Sequence, residues 1–164
     1  MAVTFESWKE QVPDEIRKDP LWEIEVYRLS LFASDVCWRD AGTLREERRT
    51  RSLADQLYRS VGSISTNVAE GFSRGTGKDR ARFYEYALGS ARESRDWYFK
   101  GRFVLGEEVV AHRHDLMTQI IRLLLVIVPE QRGGEIREPD PHYEASESSE
   151  ADLLKNIPFS DREA

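Results

Sequence analysis

The ten residues SISTNVAEGF at positions 63–72 interrupt an apolar pattern that otherwise predicts a long helix. Ser, Thr, Asn and Gly have weak helix propensity, because they lose backbone freedom or compete for backbone hydrogen bonds. Their small size lets two helix backbones approach closely, and that contact offsets the cost. The stretch therefore predicts a helix packed closely against a neighbouring helix.

Apolar spacing and capping signals around this stretch predict four long helices. The predicted starts are Pro20, about Leu44, Thr76 and Glu107, and the predicted ends are Gly42, Gly75, about Leu105 and Pro129. No Pro occurs between residues 21 and 128. Long helices joined by short loops favour an all-α, up-down-up-down antiparallel four-helix bundle over residues 20–130.

The two ends of the chain differ from this region in composition. Residues 1–19 contain Phe5 and Trp8 and are interrupted at Pro13, which predicts an arm or short helix that packs its aromatic rings on the bundle. Residues 131–164 are predicted to be a mostly disordered acidic tail, since residues 132–164 hold nine acidic and four basic side chains. The apolar segment LLKNIPF at 153–159 predicts a docking segment for this bundle, a neighbouring subunit or a partner protein.

Composition indicates a cytoplasmic protein with no membrane partner. The longest apolar run, LLLVIV at 123–128, is too short to span a bilayer, and the amino terminus has no signal-peptide core. The single cysteine, Cys37, cannot form an intrachain disulfide. It lies among apolar residues and is expected to be a buried, inert thiol.

Small and polar residues on the second and third predicted helices are expected to form a structural seam between them. They are Ser63, Asn67, Glu70, Gly71, Gly89, Ser90 and Glu93. Hydrogen bonds across such a seam, or at a subunit contact, would set the register of the helices. The alternative is a small-ligand site or an active site that uses Asn67, Glu70 and Glu93 between the same two helices.

Two arginine-rich clusters are candidate contacts to nucleic acid. The first is Arg45, Arg48, Arg49 and Arg51, and the second is Arg74, Lys78, Arg80 and Arg82. Residues 39–102 hold fourteen basic and nine acidic side chains. The clusters lie at opposite ends of the second predicted helix, so only repetition in an oligomer would make either into an extended surface.

The sequence predicts no catalytic residues, no metal and no cofactor. GTGKD at 75–79 lacks the first glycine and the Ser or Thr of a phosphate-binding loop, and it lies between helices. None of His112, His114 and His142 stands three residues after a Glu, as a di-metal bundle site requires. We therefore expect a protein that is not an enzyme.

The run SISTNVAEGFSRGTGKDRARFYEYALGSARE resembles the family of bacterial four-helix bundle proteins found as reading frames in intervening sequences of large-subunit rRNA genes. The matching positions are Ser63, Ile64, Asn67, Val68, Ala69, Glu70, Gly71, Phe83, Ala87, Leu88, Gly89, Ser90 and Glu93. The resemblance implies a left-handed bundle that forms a homo-oligomeric ring, with a pentamer favoured, and it implies no enzymatic activity.

The same resemblance implies a distant kinship with the accessory variability determinant of diversity-generating retroelements, which is a basic pentamer that binds reverse transcriptase and nucleic acid. The first predicted helix independently favours self-association, because Ile24, Tyr27, Leu31 and Trp38 add a second apolar stripe to it. We therefore expect a homo-oligomeric binding or assembly module whose partner is RNA, DNA or a nucleic-acid enzyme. A scaffold that captures a protein through its C-terminal tail is the other alternative.

Overall fold

The computed structural model describes residues 4–133 and 150–160, and the helices in these ranges alternate with short turns. The four long helices are α3 (Glu25–Glu46), α4 (Arg51–Phe72), α5 (Gly77–Lys100) and α7 (Glu107–Arg132). The four short helices are α1 (Phe5–Lys9), α2 (Asp14–Arg17), α6 (Arg102–Leu105) and α8 (Glu150–Leu153), and 3-10 turns lie at Pro20–Glu23 and Arg48–Thr50. No strand occurs in the described ranges, and the predicted all-α class is confirmed.

The boundary between the first two long helices lies later than the sequence predicts. Gly42 was expected to end the first helix and Thr43 to cap the second, but α3 continues to Glu46. The Thr43 hydroxyl donates to the Arg39 carbonyl inside the same helix. Because Ala41 and Leu44 are buried on the core face, packing carries α3 past a glycine that faces solvent.

Two proline predictions also need correction. Pro20 starts a 3-10 turn capped by the Asp19 carboxylate, and the α-helix begins only at Glu25. Pro129 does not close the last long helix, because α7 continues to Arg132 and is capped by Gly133 at a φ of +70°. Proline removes one hydrogen bond there, and the buried Val128 beside it keeps that turn packed.

The long helices pack in chain order around one core. α4 packs along both α3 and α5, α5 packs along α7, and α3 contacts α7 less extensively. Fully buried side chains of all four helices meet between them, among them Phe32, Leu57, Tyr98 and Ile120. The edge between α3 and α7 is therefore the thinnest part of the helical packing.

The terminal segments cover this thin edge. Phe5 and Trp8 of α1 are buried and pack edge-on against Phe32 of α3, and the Trp8 indole donates to Asp35 at 2.6 Å. Leu153 and Ile157 from the other end of the chain are also buried. The extra neighbours that the second apolar stripe of α3 required are thus partly supplied by the same chain.

Candidate assembly and binding surfaces

The close approach of α4 and α5 is built on Gly71, Ser60 and Ser94. A Cβ atom on Gly71 would lie only 2.7 Å from the Tyr84 ring of α5, so this position accepts no larger side chain without movement of that ring. Nearer the middle of the same contact, the buried Ser94 and Ser60 hydroxyls are hydrogen-bonded, with 3.0 Å between their oxygens. The missing side chain at Gly71 and the hydrogen bond between Ser60 and Ser94 therefore fix the distance between α4 and α5.

One predicted seam residue, Gly89, lies away from the α4–α5 contact, and another, Asn67, bonds within its own helix. Gly89 is exposed, and a Cβ atom there would meet nothing within 4 Å. Asn67 is half-buried, and its amide donates to the Ser63 carbonyl of its own helix at 2.8 Å. Gly89 points away from α4 because it follows the buried Ala87 by two residues, which is about 200° around the helix axis.

Three other predicted seam residues, Glu70, Ser90 and Glu93, bond to residues four positions further along the chain. The Glu70 carboxylate pairs with Arg74 at 2.6 Å, and the Glu93 carboxylate accepts from the Trp97 indole at 3.0 Å. The Ser90 carbonyl accepts from the Ser94 hydroxyl at 2.8 Å. The Asn67 amide and the two carboxylates thus each bond to a partner four residues away, and Glu70 and Glu93 are exposed.

The arginine-rich clusters lie at opposite ends of α4, as predicted, and most of their members already have partners. Arg45 pairs with Asp55, Arg49 with Glu47, and Arg51 donates to the Arg45 carbonyl. At the other end, Arg74 stacks on Phe83, Arg80 donates to the Arg74 carbonyl, and Arg82 donates to the Tyr86 hydroxyl. Arg48 and Lys78 are exposed, one at each end.

A buried ion pair joins α3 to α7 where their packing is thin. The Arg113 side chain has no exposed surface, and its Nε lies 2.8 Å from a carboxylate oxygen of Asp40, which is 2% exposed. The Tyr98 hydroxyl donates to the same Asp40 oxygen at 3.0 Å. A buried charge pair is tolerated when hydrogen bonds satisfy its remaining polar atoms, and here α5 supplies one of them.

His112 and Arg113 extend this network to the C-terminal segment, defined here as residues 150–160. Arg113 donates through Nη1 to Nδ1 of His112 and through Nη2 to the Pro158 carbonyl, each at 2.7 Å. Because Nδ1 accepts, Nε2 of His112 carries the proton, and it donates to the Leu153 carbonyl at 2.7 Å. The Phe159 ring lies against the Arg39 guanidinium, 3.7 Å from ring centre to Cζ.

Burial sets the protonation states around this network. Desolvation and the adjacent Arg113 cation lower the pKa of His112 to about 4, so the imidazole is neutral at physiological pH. Desolvation likewise raises the pKa of Cys37 to about 12, which fits the expected inert thiol. The pKa of Tyr98 is raised well above its usual value, chiefly by its complete burial.

None of the residues predicted as sites belongs to this network, although the sequence carries a signal for it. Arg113 falls four residues after Val109 and three before Leu116, inside the apolar stripe of α7. Asp40 occupies the equivalent place between Val36 and Leu44 in α3. Opposite charges at core positions of two helices are a recognisable sign of a buried pair.

Exposed aromatic rings form one cluster on α3 and α4 and another on α5, α6 and α7. Trp38 of α3 is 68% exposed and packs edge-on against Tyr58 of α4, which is 42% exposed. On α5, Phe99 is 50% exposed and stacks on His114 of α7, and Phe103 of α6 is 83% exposed. We call these the Trp38 cluster (Trp38, Tyr58) and the Phe103 cluster (Phe99, Phe103, His114).

The structure also contains an open cleft of about 380 Å³ between the N-terminal residues and α3. Its lining is Trp8, Gln11, Val12, Pro13, Ile16, Leu31, Ser34 and Asp35. Within residues 4–133 and 150–160, no three His, Cys, Asp or Glu side chains group as metal ligands would. None of the helices in these ranges combines the length and apolarity needed to cross a membrane.

The chain resembles a solved structure in fold and a protein family in sequence. A crystal structure of a protein of unknown function from the S23 ribosomal protein family of Bacteroides thetaiotaomicron matches with a TM-score of 0.59. The two chains are 23% identical, and the match covers 63% of this chain and 97% of the other, which shows a common fold. No curated protein matches. The model of the 23S rRNA-intervening sequence protein family matches residues 23–125, so the chain belongs to that family.

Proposed function

We infer that the four long helices form an up-down-up-down bundle. Each is joined to the next by a short connection, and α3 and α5 each pack against both α4 and α7. This pattern supports a four-sided arrangement in which the α3–α4 side lies opposite the α5–α7 side.

We propose that the chain is an assembly module that forms a homo-oligomeric ring. The observation that carries the proposal is the presence of two exposed aromatic clusters on these two opposite sides. Exposed aromatic groups of this kind mark protein interaction sites. Because the clusters differ, contact between them joins unlike surfaces of successive copies, and such contacts form a ring when the rotation closes.

The position of the clusters along the helices suits a closed ring. Trp38, Tyr58 and His114 each lie within about 12 Å of the same helix ends by helix rise, and Phe99 is next to the last residue of α5. These ends adjoin, since a Cβ atom on Gly101 would lie 3.2 Å from the Leu44 side chain. Because both aromatic clusters lie at the same height along the helices, they can meet when neighbouring copies are related by rotation about an axis parallel to the helices.

Light scattering coupled to size exclusion tests this proposal. The protein is expected at three or more times its 19.0 kDa chain mass, as a ring of unlike contacts requires, and Trp38→Ser or Phe103→Ser is expected to reduce it to a monomer with unchanged helical circular dichroism. Tyr86→Ser is the matched control, since Tyr86 is also exposed but packs on Phe83 of its own helix. A monomeric wild-type chain at tens of micromolar would refute the proposal.

Nucleic-acid binding is a second candidate function. It is favoured by positive charge at the helix ends near which the Trp38 and Phe103 clusters lie. Residues 45–51 hold four arginines and two glutamates, and Arg48 is exposed. A ring would repeat this arginine-rich surface once per copy and sum its attraction for phosphates. The local charge excess is small, so repetition is the basis of the proposal.

A mobility-shift titration with single-stranded RNA at low salt tests this second candidate. Arg48→Glu is expected to weaken binding severalfold, whereas Lys78→Glu, an exposed charge reversal at the other end of α4, is expected to leave it nearly unchanged. No shift at micromolar wild-type protein would rule the function out, and equal losses in the two variants would assign it to another surface.

A further inference from the structure

The groove between α3 and α7 recognises the C-terminal segment largely through its main chain. Three donors bind its carbonyls: the Phe5 amide to Leu154 at 3.0 Å, His112 to Leu153 at 2.7 Å, and Arg113 to Pro158 at 2.7 Å. Leu153 and Ile157 of the same segment are buried. Every donor belongs to α1 or α7, so the groove is a peptide-binding site that residues 150–160 occupy.

None of these contacts depends on which copy of the chain supplies the segment. Sixteen residues, 134–149, separate Gly133 from Glu150, and a chain of that length reaches about 55 Å when extended. The groove residue His112 lies twenty residues before Arg132 on α7, or about 30 Å by helix rise. The extended connection therefore exceeds the distance to its own groove by about 25 Å, which leaves length to reach an adjacent copy.

The area available for contact between copies favours a C-terminal segment that docks on the neighbouring copy. At the exposures of Trp38, Tyr58, Phe99 and Phe103, and with about 200 Å² for each full aromatic side chain, the two clusters offer about 500 Å². Stable specific interfaces bury roughly 1,200 Å² or more in total. The aromatic contact alone falls short, and a segment docked on the neighbouring copy would supply much of the missing area.

We propose that, in the assembled protein, residues 150–160 of each copy occupy the α3–α7 groove of a neighbouring copy. This inference rests on the proposed ring. Exchange of an identical segment preserves all of its contacts and so costs little. It also links successive copies, which raises the effective concentration of each aromatic contact.

Cross-linking between two variants of the full-length chain tests the exchange. One variant carries Ala111→Cys, an exposed position beside His112, and the other carries Asn156→Cys, an exposed position in the segment. Cys37 is buried and does not compete for the reagent. The bismaleimide is the shortest that bridges both cysteines when one chain carries the two substitutions.

After the two variants are unfolded together and refolded, exchange predicts a covalent product that contains one chain of each. Thr66→Cys, exposed on α4, replaces Ala111→Cys in the control mixture and is expected to give far less product. If the protein is an oligomer but gives no more mixed product than the control, the exchange is wrong and the proposed ring still stands. A monomer by light scattering, with no mixed product, would overturn both.

Discussion

At the scale of single residues, the contact between α4 and α5 depends on the absence of a side chain at Gly71. The Tyr84 ring occupies the space where a Cβ atom would lie, at 2.7 Å. Gly89 has the opposite environment, since nothing lies within 4 Å of its Cβ position. Two glycines of the same sequence pattern therefore have different consequences for stability.

Gly71→Ala is expected to lower the free energy of unfolding by about 1–3 kcal/mol, because Tyr84 must move out of a packed position. Gly89→Ala is the matched change and is expected to raise it by about 0.5–1 kcal/mol, since alanine is the better helix former. Urea denaturation followed by circular dichroism measures both. Equal effects of the two substitutions would show that the α4–α5 contact is not limited by size at Gly71.

The lowered pKa of His112 predicts that the folded protein loses stability in acid. Its pKa is lowered from 6.5 to about 4 in the folded protein, so the unfolded chain binds more protons between these values. The contribution of the neutral imidazole is therefore complete above pH 6.5 and is lost as pH falls to about 4. Protonation at Nδ1 would oppose Arg113, so the C-terminal segment is expected to detach.

Thermal denaturation between pH 7 and pH 4 checks this prediction. His112→Gln is the comparison, because an uncharged amide can donate and accept in place of the imidazole. The wild-type melting temperature is expected to fall more steeply with acid than that of the variant. Parallel curves for the two proteins would contradict the assignment.

At the scale of helices, two similar sequence signals have different outcomes. Thr76 caps α5, since its hydroxyl accepts from the Asp79 amide at 3.1 Å. Thr43 has an acidic residue at the same spacing, Glu46, yet lies inside α3. The difference arises from burial around Thr43, where apolar side chains continue along α3, whereas Arg74, Gly75 and Thr76 are exposed between α4 and α5.

Thr76→Ala is therefore expected to cost about 1 kcal/mol of stability through loss of the cap. Thr43→Ala is the matched change and is expected to cost at most a few tenths, because its hydroxyl bonds only within the helix. Chemical denaturation of both variants measures the difference. A larger cost at position 43 would contradict the observed helix boundary.

These helices also show how far the sequence predicts the structure. Apolar periodicity predicts the all-α class and the four long helices, because each needs one buried face. Boundaries at Gly42 and Pro129 were wrong, since local preferences were outweighed by packing. Contacts between distant residues, such as Asp40 with Arg113, depend on how helices pair, which spacing along one helix does not determine.

At the scale of the whole molecule, the terminal segments and the aromatic clusters occupy separate surfaces. Residues 5–12 and 153–159 cover the thin α3–α7 edge with apolar side chains. Within a single chain the segment predicted to dock lies on that chain's own helices, and the tail residues 134–149 and 161–164 fall outside the described residues. The Trp38 and Phe103 clusters stay exposed on the other sides and are the surfaces we assign to assembly.

The proposed ring requires the Trp38 cluster of one copy to meet the Phe103 cluster of the next, and a mixture of two single variants tests this contact. Trp38→Ser removes one surface and Phe103→Ser the other, so each variant alone is expected to be monomeric. In the mixture, the intact Trp38 cluster of one can still meet the intact Phe103 cluster of the other. Light scattering is then expected to give twice the 19.0 kDa chain mass and no larger species. A mixture that remains monomeric, or either variant assembling alone, would contradict the claim.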